Sequence, residues 1–198
     1  MSRILLLRHA AVDRPGGIAL GHTDAPLSAD GRAAAAALAQ AWDAPVPARI
    51  VCSDLVRARE TAAPLAMRFG LAPRPDPRWR ELHFGAWEDR AFDALPRPAL
   101  QAWGRHWTRR GPPGGESFLA LRRRTREALA GLLEGFEAGA CVLVVAHAGP
   151  IRAVLVDALG LPARHAFRLP CDLLHLTVLE RQGRRWAVQA INRAPPPR

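Results

Sequence analysis

The chain has 198 residues, of which 49% are hydrophobic and 23% charged, a composition that excludes a disordered or fibrous protein. Its formal net charge is +10 and all of its basic side chains are arginine, so the sequence favours an anionic partner such as a phosphorylated metabolite. The three separated cysteines predict reduced thiols, and the short apolar runs predict neither a signal peptide nor a membrane span, so we expect a cytoplasmic protein.

The predicted elements alternate between short apolar strands and longer helices. In chain order they are a strand at 4–7, a helix at 30–42 capped by Ser28, a strand at 49–52, a helix at about 55–69 that Gly70 ends, a patchy helical stretch at 91–110 broken by Pro96 and Pro98, a long helix from the Ser117 cap to about Phe136, a strand at 141–146, a helix at 151–159, and a hairpin of 173–179 with 185–192. This alternation predicts an α/β fold, a three-layer sandwich with a mostly parallel sheet and helices on both faces.

We expect a single domain over residues 1–198, with an inserted lid or subdomain at about 82–116. The C-terminal hairpin either edges the sheet or pairs across an interface, so a monomer and a homodimer both stay open. The arginines are scattered and lack interleaved aromatic residues, which argues against a nucleic-acid surface. The dense arginine runs, 105–110 and 122–126, are expected to form solvated helix faces.

The residues suited to catalysis follow the predicted strands. His9 ends the strand at 4–7, His147 ends the strand at 141–146, and Arg57 lies in the first turn of the helix after the strand at 49–52. Because ligands of open α/β sheets bind beyond the carboxyl ends of the strands, these side chains and Arg8 can converge on one anion.

This set of residues suits phosphoryl transfer. Two guanidinium groups can clamp a phosphate, a neutral imidazole can take the phosphoryl group, and a carboxylic acid can protonate the leaving oxygen and then activate water. Glu81 is the candidate acid, because Trp79 and Trp87 flank it with an apolar setting that favours the protonated form. The alternative is a salt bridge with Arg80 or another neighbour.

Other chemistries lack their residues in this sequence. The histidines and cysteines show no HxH, HExxH or CxxC spacing, and no acidic cluster offers a magnesium site, so no metal is expected. A chain without lysine cannot form a Walker-type phosphate loop, and it contains no GxSxG nucleophile elbow. We expect the protein to need no cofactor.

Five sequence blocks resemble the histidine phosphatase superfamily, in its phosphoglycerate-mutase-like branch. They are Leu7-Arg8-His9, Gly21 to Ser28, Ser53 to Ala62, Glu81 to Glu88, and Val144 to Gly149. The resemblance implies a phosphoglycerate-mutase-like fold, a phosphohistidine intermediate on His9, phosphate ligands at Arg8, Arg57 and His147, and a proton donor at Glu81. It also suggests further substrate contacts at His22, Thr23, Ala148 and Gly149.

The sequence also departs from the family pattern in two places. Ala10-Ala11-Val12 stands where Gly-Glu-Thr is usual, and Ala148 replaces a frequent glycine, but neither change removes a catalytic group.

Within the family, the blocks at 21–24 and 113–117 resemble α-ribazole phosphatase, an enzyme of adenosylcobalamin assembly. The resemblance therefore implies α-ribazole 5′-phosphate as the substrate. The alternative is a broad-specificity or sugar-phosphate phosphatase with the same site. From another class, a weakly catalytic module that binds phosphorylated ligands or RNA also remains open.

Overall fold

The computed structural model describes residues 2–134, 139–183 and 185–196. Its strands are β1 (Arg3–Arg8), β2 (Arg49–Cys52), β3 (Arg74–Pro75), β4 (Cys141–Ala146), β5 (Leu176–Gln182) and β6 (Arg185–Arg193). Its α-helices are α1 (Ala29–Gln40), α2 (Val56–Phe69), α3 (Arg97–His106), α4 (Phe118–Leu133) and α5 (Ala148–Ala158). Short 3-10 turns lie at Pro77–Trp79, Gly85–Trp87, Phe92–Ala94 and Ala163–Arg168.

The strands form one mixed sheet in the order β3-β2-β4-β1-β5-β6. Strands β3, β2, β4 and β1 are parallel, whereas β5 and β6 add an antiparallel hairpin beyond β1. The four parallel strands are joined by helical crossovers, as parallel pairs require. The predicted α/β class and mostly parallel sheet are confirmed.

Two apolar cores, one on each face of the sheet, hold the helices. On one face Leu5 and Leu143 pack with α1 and α2 residues such as Leu38 and Leu65, and all four are buried. The opposite face packs against α4 and α5, where Leu132, Ile151 and Leu155 contact Leu6 and Val144 of the sheet. Since successive residues of a strand point to opposite faces, each strand must be apolar along its whole length, which explains the unbroken run in β4.

Strands β1 and β4 are parallel neighbours whose following helices pack on opposite faces of the sheet. The connections therefore diverge from the carboxyl ends of these strands and leave a crevice between them, which is where open α/β sheets bind ligands. His9 and His147 are the first residues after β1 and β4, and both lie at this crevice.

Several boundaries differ from the sequence-based predictions for local reasons. Pro98 does not break helix α3, because it occupies the first turn, where its missing N–H needs no partner. Helix α5 begins at Ala148 rather than Ile151, with His147 at its N-cap position. The hairpin begins at Leu176 because Leu174, at φ = 59°, turns the chain just before it. The 3-10 turn at 163–168 was not predicted.

The remaining predictions concern the end of helix α4, the cysteines, the extent of the domain and the lid. Helix α4 is described to Leu133, and its predicted end at Phe136 lies outside the described residues. The three cysteines are buried and unpaired, as expected for reduced thiols. The extent of the domain and the role of residues 82–116 as a lid stay predictions.

Candidate functional site

His9 and His147 face each other across the crevice between β1 and β4. Their ring centroids are 5.0 Å apart and the ring planes are tilted by 57°. Both residues are buried, with 6% of His9 and none of His147 accessible to solvent. The pairing of Arg8 with Ala146 in the parallel ladder places the next residue of each strand side by side. The structure therefore brings together the two histidines that the sequence placed 138 positions apart.

The tautomer of His9 is fixed by the backbone carbonyl group of the next residue, Ala10. Its Nδ1 lies 2.7 Å from the carbonyl oxygen of Ala10, and a carbonyl can only accept, so Nδ1 carries the hydrogen. The Nε2 atom then keeps its lone pair. Burial, followed by the charges of Arg57 and Arg8, lowers the pKa of His9 to about 3, which keeps the ring neutral near pH 7.

Arg57 is almost fully buried, with 1% of its surface exposed, and is held by fixed acceptors. Its Nη1 and Nη2 donate to the carbonyl oxygens of Thr23 and Gly21, both at 2.7 Å, and its Nε donates to Nδ1 of His147 at 3.2 Å. These bonds engage three of the five N–H groups of a guanidinium. Burial lowers the pKa of Arg57 from its ordinary value, and the nearby carboxylates of Glu81, Asp24 and Glu88 act in the opposite direction.

His147 has the opposite tautomer to His9. Because its Nδ1 accepts from Arg57, the ring hydrogen is on Nε2, and that buried atom has no hydrogen-bond partner within the described residues. Burial, then the Arg57 charge and His9, lower the pKa of His147 well below its usual range. Arg8 contributes a second unused donor: its Nη1 donates to the Cys171 carbonyl oxygen at 2.6 Å, and its Nε has no described partner. Unused buried donors of this kind suit an anion.

Glu81 lies at the N-terminus of helix α5. Its Oε1 accepts from the backbone N–H groups of Leu82 at 2.8 Å and Gly149 at 3.0 Å, and its Oε2 accepts from Gly149 at 3.2 Å. The carboxyl oxygens therefore meet backbone donors, a contact that the flanking tryptophans did not predict. The alternative Arg80 bridge does not form, since the Nε of Arg80 donates to Asp54 at 2.7 Å.

Arg124 of helix α4 supports the segment that carries Glu81. Its guanidinium donates to the carbonyl oxygens of Arg78, Arg80 and Glu81 at 2.7–2.8 Å, and it pairs with the carboxylate of Glu116. The prediction that 122–126 forms a solvated face is wrong for Arg124, whose side chain is 19% exposed. Arg124 follows the buried Leu121 by three residues and precedes the buried Ala128 by four. Because residues three or four apart lie on the same face of a helix, this spacing is the sequence signal for an inward-facing Arg124.

The remaining predicted substrate contacts have other partners in the structure. The hydroxyl of Thr23 donates to Glu88 at 2.7 Å, and Nε2 of His22 donates to the carbonyl oxygen of Glu81 at 3.0 Å. Gly149 lines the site cavity, and Ala148 is buried in the core beside it. A role for these four residues in binding substrate stays a prediction.

A cavity of about 630 Å³ opens above His9. Its floor includes Arg8, His9, Arg57, Glu81 and Gly149. The apolar part of its wall is formed by Phe84, Phe92, Trp103, Phe118, Phe167 and Leu173, and Arg14 and Arg152 add two further charges. The cavity is much larger than a phosphate, so it has room for the organic group that a phosphate ester carries.

Two searches of the described ranges bear on other kinds of site. Within 2–134, 139–183 and 185–196, no three histidine, cysteine or acidic side chains are grouped so that they could hold a metal ion. No helix in those ranges combines the length and the apolar character needed to cross a membrane.

Comparison with known proteins identifies the family. Residues 4–194 match the histidine phosphatase superfamily, branch 1. The chain belongs to this superfamily. It is a histidine phosphatase-type phosphomonoesterase, and the family implies a small phosphorylated substrate. Membership in a hydrolase family supports an enzyme over the binding-module alternative.

Two of the similar sequences carry different names. The chain is 34% identical over 191 residues to a probable phosphoglycerate mutase of Serratia proteamaculans, which covers 94% of this chain and 88% of the relative. It is 37% identical over 171 residues to the glucosyl-3-phosphoglycerate phosphatase of Mycobacterium tuberculosis, with 81% and 76% covered. Each match covers more than four fifths of this chain.

Solved structures agree on the fold. A mycobacterial glucosyl-3-phosphoglycerate phosphatase in complex with VO3 superposes with a TM-score of 0.87 at 34% identity, covering 97% of this chain and 99% of that one. The α-ribazole phosphatase of Shigella flexneri has a TM-score of 0.86 at 26% identity, with 96% of each chain covered. The predicted phosphoglycerate-mutase-like fold is confirmed, but the predicted likeness to α-ribazole phosphatase in particular is supported less well than the sugar-phosphate alternative.

Proposed function

We propose that this histidine phosphatase is a metal-independent phosphomonoesterase of broad specificity that carries the phosphoryl group on Nε2 of His9. The observation that carries the proposal is a buried, neutral imidazole with its lone pair on Nε2, beside the donors of Arg57 and His147. A neutral imidazole nitrogen is a good nucleophile, and the surrounding donors stabilise negative charge on the phosphate oxygens.

In the first step Nε2 of His9 attacks phosphorus in line with the leaving oxygen. A bond forms between nitrogen and phosphorus, the bond from phosphorus to the leaving oxygen breaks, and Glu81 in its acid form supplies the proton that this oxygen takes. Arg8, Arg57 and His147 donate to the other three phosphate oxygens, where the transition state spreads its charge.

In the second step water attacks the phosphohistidine. Glu81, now a carboxylate, takes a proton from the water, the bond between nitrogen and phosphorus breaks, and inorganic phosphate leaves with Nε2 again unprotonated. Throughout both steps the Ala10 carbonyl oxygen holds Nδ1–H, so the ring stays aligned with the phosphorus.

The cavity wall supports broad specificity for the organic group. Aromatic rings such as Phe84 and Trp103 offer a flat surface on which a sugar ring or an aromatic ring can pack, while Arg14 and Arg152 are the charged groups outside the phosphate floor. Few side chains of the wall can pair with individual hydroxyl groups, so recognition through many hydrogen bonds is not favoured. The named glucosyl-3-phosphoglycerate phosphatases support sugar phosphates as one substrate class.

α-Ribazole 5′-phosphate is the second candidate, because the blocks at 21–24 and 113–117 resemble that branch. The substrate test is steady-state phosphate release in EDTA from a panel of sugar phosphates, aryl phosphates and α-ribazole 5′-phosphate. Comparable rates across the panel are expected. A preference of about 100-fold or more for α-ribazole 5′-phosphate, equal to about 2.7 kcal/mol, would overturn broad specificity in favour of that substrate.

The mechanism is tested with His9→Asn and with His106→Asn, which replaces an exposed histidine, as its control. We expect His9→Asn to lose turnover by about 1,000-fold or more, because it removes the nucleophile. Labelled substrate quenched in alkali should leave the phosphoryl group on the parent and on His106→Asn, but not on His9→Asn. Full activity in a folded His9→Asn protein would contradict the mechanism.

A further inference from the structure

We propose that Glu88 is a positioning residue that sets phosphate affinity through Arg57. Glu88 fixes the loop of residues 21–23, and the carbonyl oxygens of that loop hold the Arg57 guanidinium in place. The inference rests on the proposed function, in which Arg57 binds phosphate. No role for Glu88 follows from its position in the sequence alone.

Four hydrogen bonds converge on the Glu88 carboxylate. Its Oε1 accepts from the backbone N–H groups of His22 at 2.9 Å and Phe84 at 2.8 Å. Its Oε2 accepts from the backbone N–H of Thr23 at 2.8 Å and from the Thr23 hydroxyl at 2.7 Å. A carboxylate has about four acceptor sites, so Glu88 is fully engaged and half-buried at the junction of two segments.

The other side of the same loop faces Arg57. The N–H groups of His22 and Thr23 point to Glu88, whereas the carbonyl oxygens of Gly21 and Thr23 accept from the Arg57 guanidinium at 2.7 Å. The loop is therefore held between one carboxylate and one guanidinium. The N–H of His22 and the carbonyl oxygen of Gly21 belong to one peptide unit, so a change in how Glu88 holds this N–H rotates the carbonyl oxygen that Arg57 binds.

Gly21 shows how closely the loop approaches Glu88. Its φ is +42°, and a Cβ at this position would lie 2.0 Å from Oε1 of Glu88 and 2.7 Å from the Leu82 carbonyl oxygen. No side chain fits there without displacing the carboxylate. The tight approach and the four hydrogen bonds together fix the loop, as a support for a precisely placed ligand requires.

Arg57 needs this support because its charge is buried and its free donors are few. Three of its N–H groups are engaged by the loop and by His147, which leaves two for a phosphate. A bidentate contact with phosphate depends on the plane of the guanidinium, and the loop carbonyl oxygens define that plane. Without Glu88 the loop has three donors to satisfy elsewhere, and the plane is no longer fixed.

The test compares Glu88→Gln with Glu60→Gln. Glu60 is a matched control, because its carboxylate accepts from the backbone N–H of Leu27 at 2.8 Å and so anchors the far end of the same loop region without contacting the residues that hold Arg57. Glutamine keeps the length of the side chain but places an NH2 group against N–H donors. Binding of inorganic phosphate is measured by calorimetry, and kcat, KM and the urea midpoint are measured alongside.

We expect Glu88→Gln to weaken phosphate binding by about 10- to 100-fold, with KM rising more than kcat falls. Glu60→Gln should leave phosphate binding within about twofold, whatever it does to the urea midpoint. Unchanged phosphate binding in Glu88→Gln, even with a lower urea midpoint, would mean that Glu88 is structural only and would overturn the proposal. Phosphate binding that is undetectable in the parent protein would also overturn it.

A double-variant cycle in kcat/KM tests whether Glu88 acts through Arg57. Once Arg57→Lys is in place, adding Glu88→Gln should cost less than about threefold, because the guanidinium that Glu88 supports is already gone. Losses that multiply independently would show that Glu88 acts by another route, against the proposal. The calorimetric result needs no turnover, so it judges Glu88 separately from the proposed phosphatase function.

Discussion

At the scale of single residues, the two histidines of the site are held as opposite tautomers. A carbonyl oxygen accepts from Nδ1 of His9, and a guanidinium donates to Nδ1 of His147. The first contact leaves a lone pair on Nε2 and the second leaves a hydrogen there. In the proposed mechanism, the hydrogen-bond partner of one ring nitrogen thus decides whether the other attacks phosphorus or binds a phosphate oxygen.

Gly149 gives a residue-scale prediction. In Gly149→Ala the new Cβ would lie 2.1 Å from Oε1 of Glu81 and 2.9 Å from Cδ1 of Leu121, so Glu81 must leave its place at helix α5. We expect kcat to fall by about 100-fold, the typical contribution of a positioned proton donor, while phosphate binding changes little. Steady-state kinetics and phosphate titration measure the two quantities.

The control for Gly149 is Gly104→Ala in helix α3, where an added Cβ meets nothing within 4 Å. Alanine favours a helix over glycine by about 0.5–1 kcal/mol, so this variant should keep its activity and gain slight stability. A Gly149→Ala protein with the kcat of the parent would show that Glu81 can protonate the leaving oxygen from another position.

At the scale of elements, helices α4 and α5 supply the hydrogen-bond donors that hold Glu81, which does not follow a strand of the site. Helix α5 presents the N–H of Gly149 to Glu81, in the first turn where helix N–H groups have no internal acceptor. Helix α4 packs Leu121 and Ala128 into the cores and turns Arg124 toward the carbonyl oxygens of residues 78–81. Two helices therefore support Glu81, the proposed acid, while His9, the proposed nucleophile, follows a strand.

Replacing Arg124 with methionine tests the support from helix α4. Arg124→Met removes the donors of three carbonyl oxygens and leaves Glu116 without its cation. We expect a loss of about 2–4 kcal/mol in the free energy of unfolding and a decrease of about tenfold in kcat, because the Glu81 backbone loses its anchor. Urea unfolding and steady-state kinetics provide the measurements.

Arg123→Met is the matched change on the same helix, because Arg123 is exposed and adjacent. It should stay within about 0.5 kcal/mol of the parent in stability, and its kcat should be that of the parent. Equal effects of the two substitutions would mean that the loss of positive charge, and not the contacts of Arg124, is responsible.

At the scale of the whole molecule, the fold keeps two neutral histidines inside a strongly basic protein. Burial is the main cause of the lowered pKa at both His9 and His147, and the positive charges around them act in the same direction. Protonation of either ring is therefore easier in the unfolded chain than in the folded one. The free energy of unfolding at acidic pH consequently depends on these two histidines.

This difference predicts how stability varies with pH. As pH falls below about 6.5, the unfolded chain binds a proton at His9 that the folded protein does not bind until its pKa near 3, so stability falls as pH falls across that window. Each such histidine contributes a slope of up to about 1.4 kcal/mol per pH unit. His9→Asn removes one contribution and should lose less stability on acidification.

Urea unfolding of the parent and of His9→Asn at pH 7.5, 6.5, 5.5 and 4.5 measures this effect. The difference in unfolding free energy between the two proteins should change by about 2–3 kcal/mol over the acidic half of the series, in favour of the variant. Parallel pH profiles for the two proteins would show that His9 titrates normally in the folded state.

The sequence by itself determined the features that contiguous residues encode. Apolar runs fixed β1, β2 and β4 to within a residue or two, and the residues after them identified His9 and His147, because a short buried strand is specified by its own side chains. The five family blocks pointed to the superfamily and to Arg57. The sequence pattern alone could not distinguish an α-ribazole phosphatase from a sugar-phosphate phosphatase. The comparisons favour the second, because the identity to a glucosyl-3-phosphoglycerate phosphatase is higher.

The tertiary structure decided which distant groups meet. The strand order places β4 beside β1, the N-terminus of helix α5 receives Glu81, and the loop at 21–23 lies between Glu88 and Arg57. These contacts join residues that are 34 to 138 positions apart in the chain, and no local pattern encodes them. Each depends on backbone N–H and carbonyl groups. Because every residue type except proline carries both, only the folded chain shows which of these groups a side chain contacts.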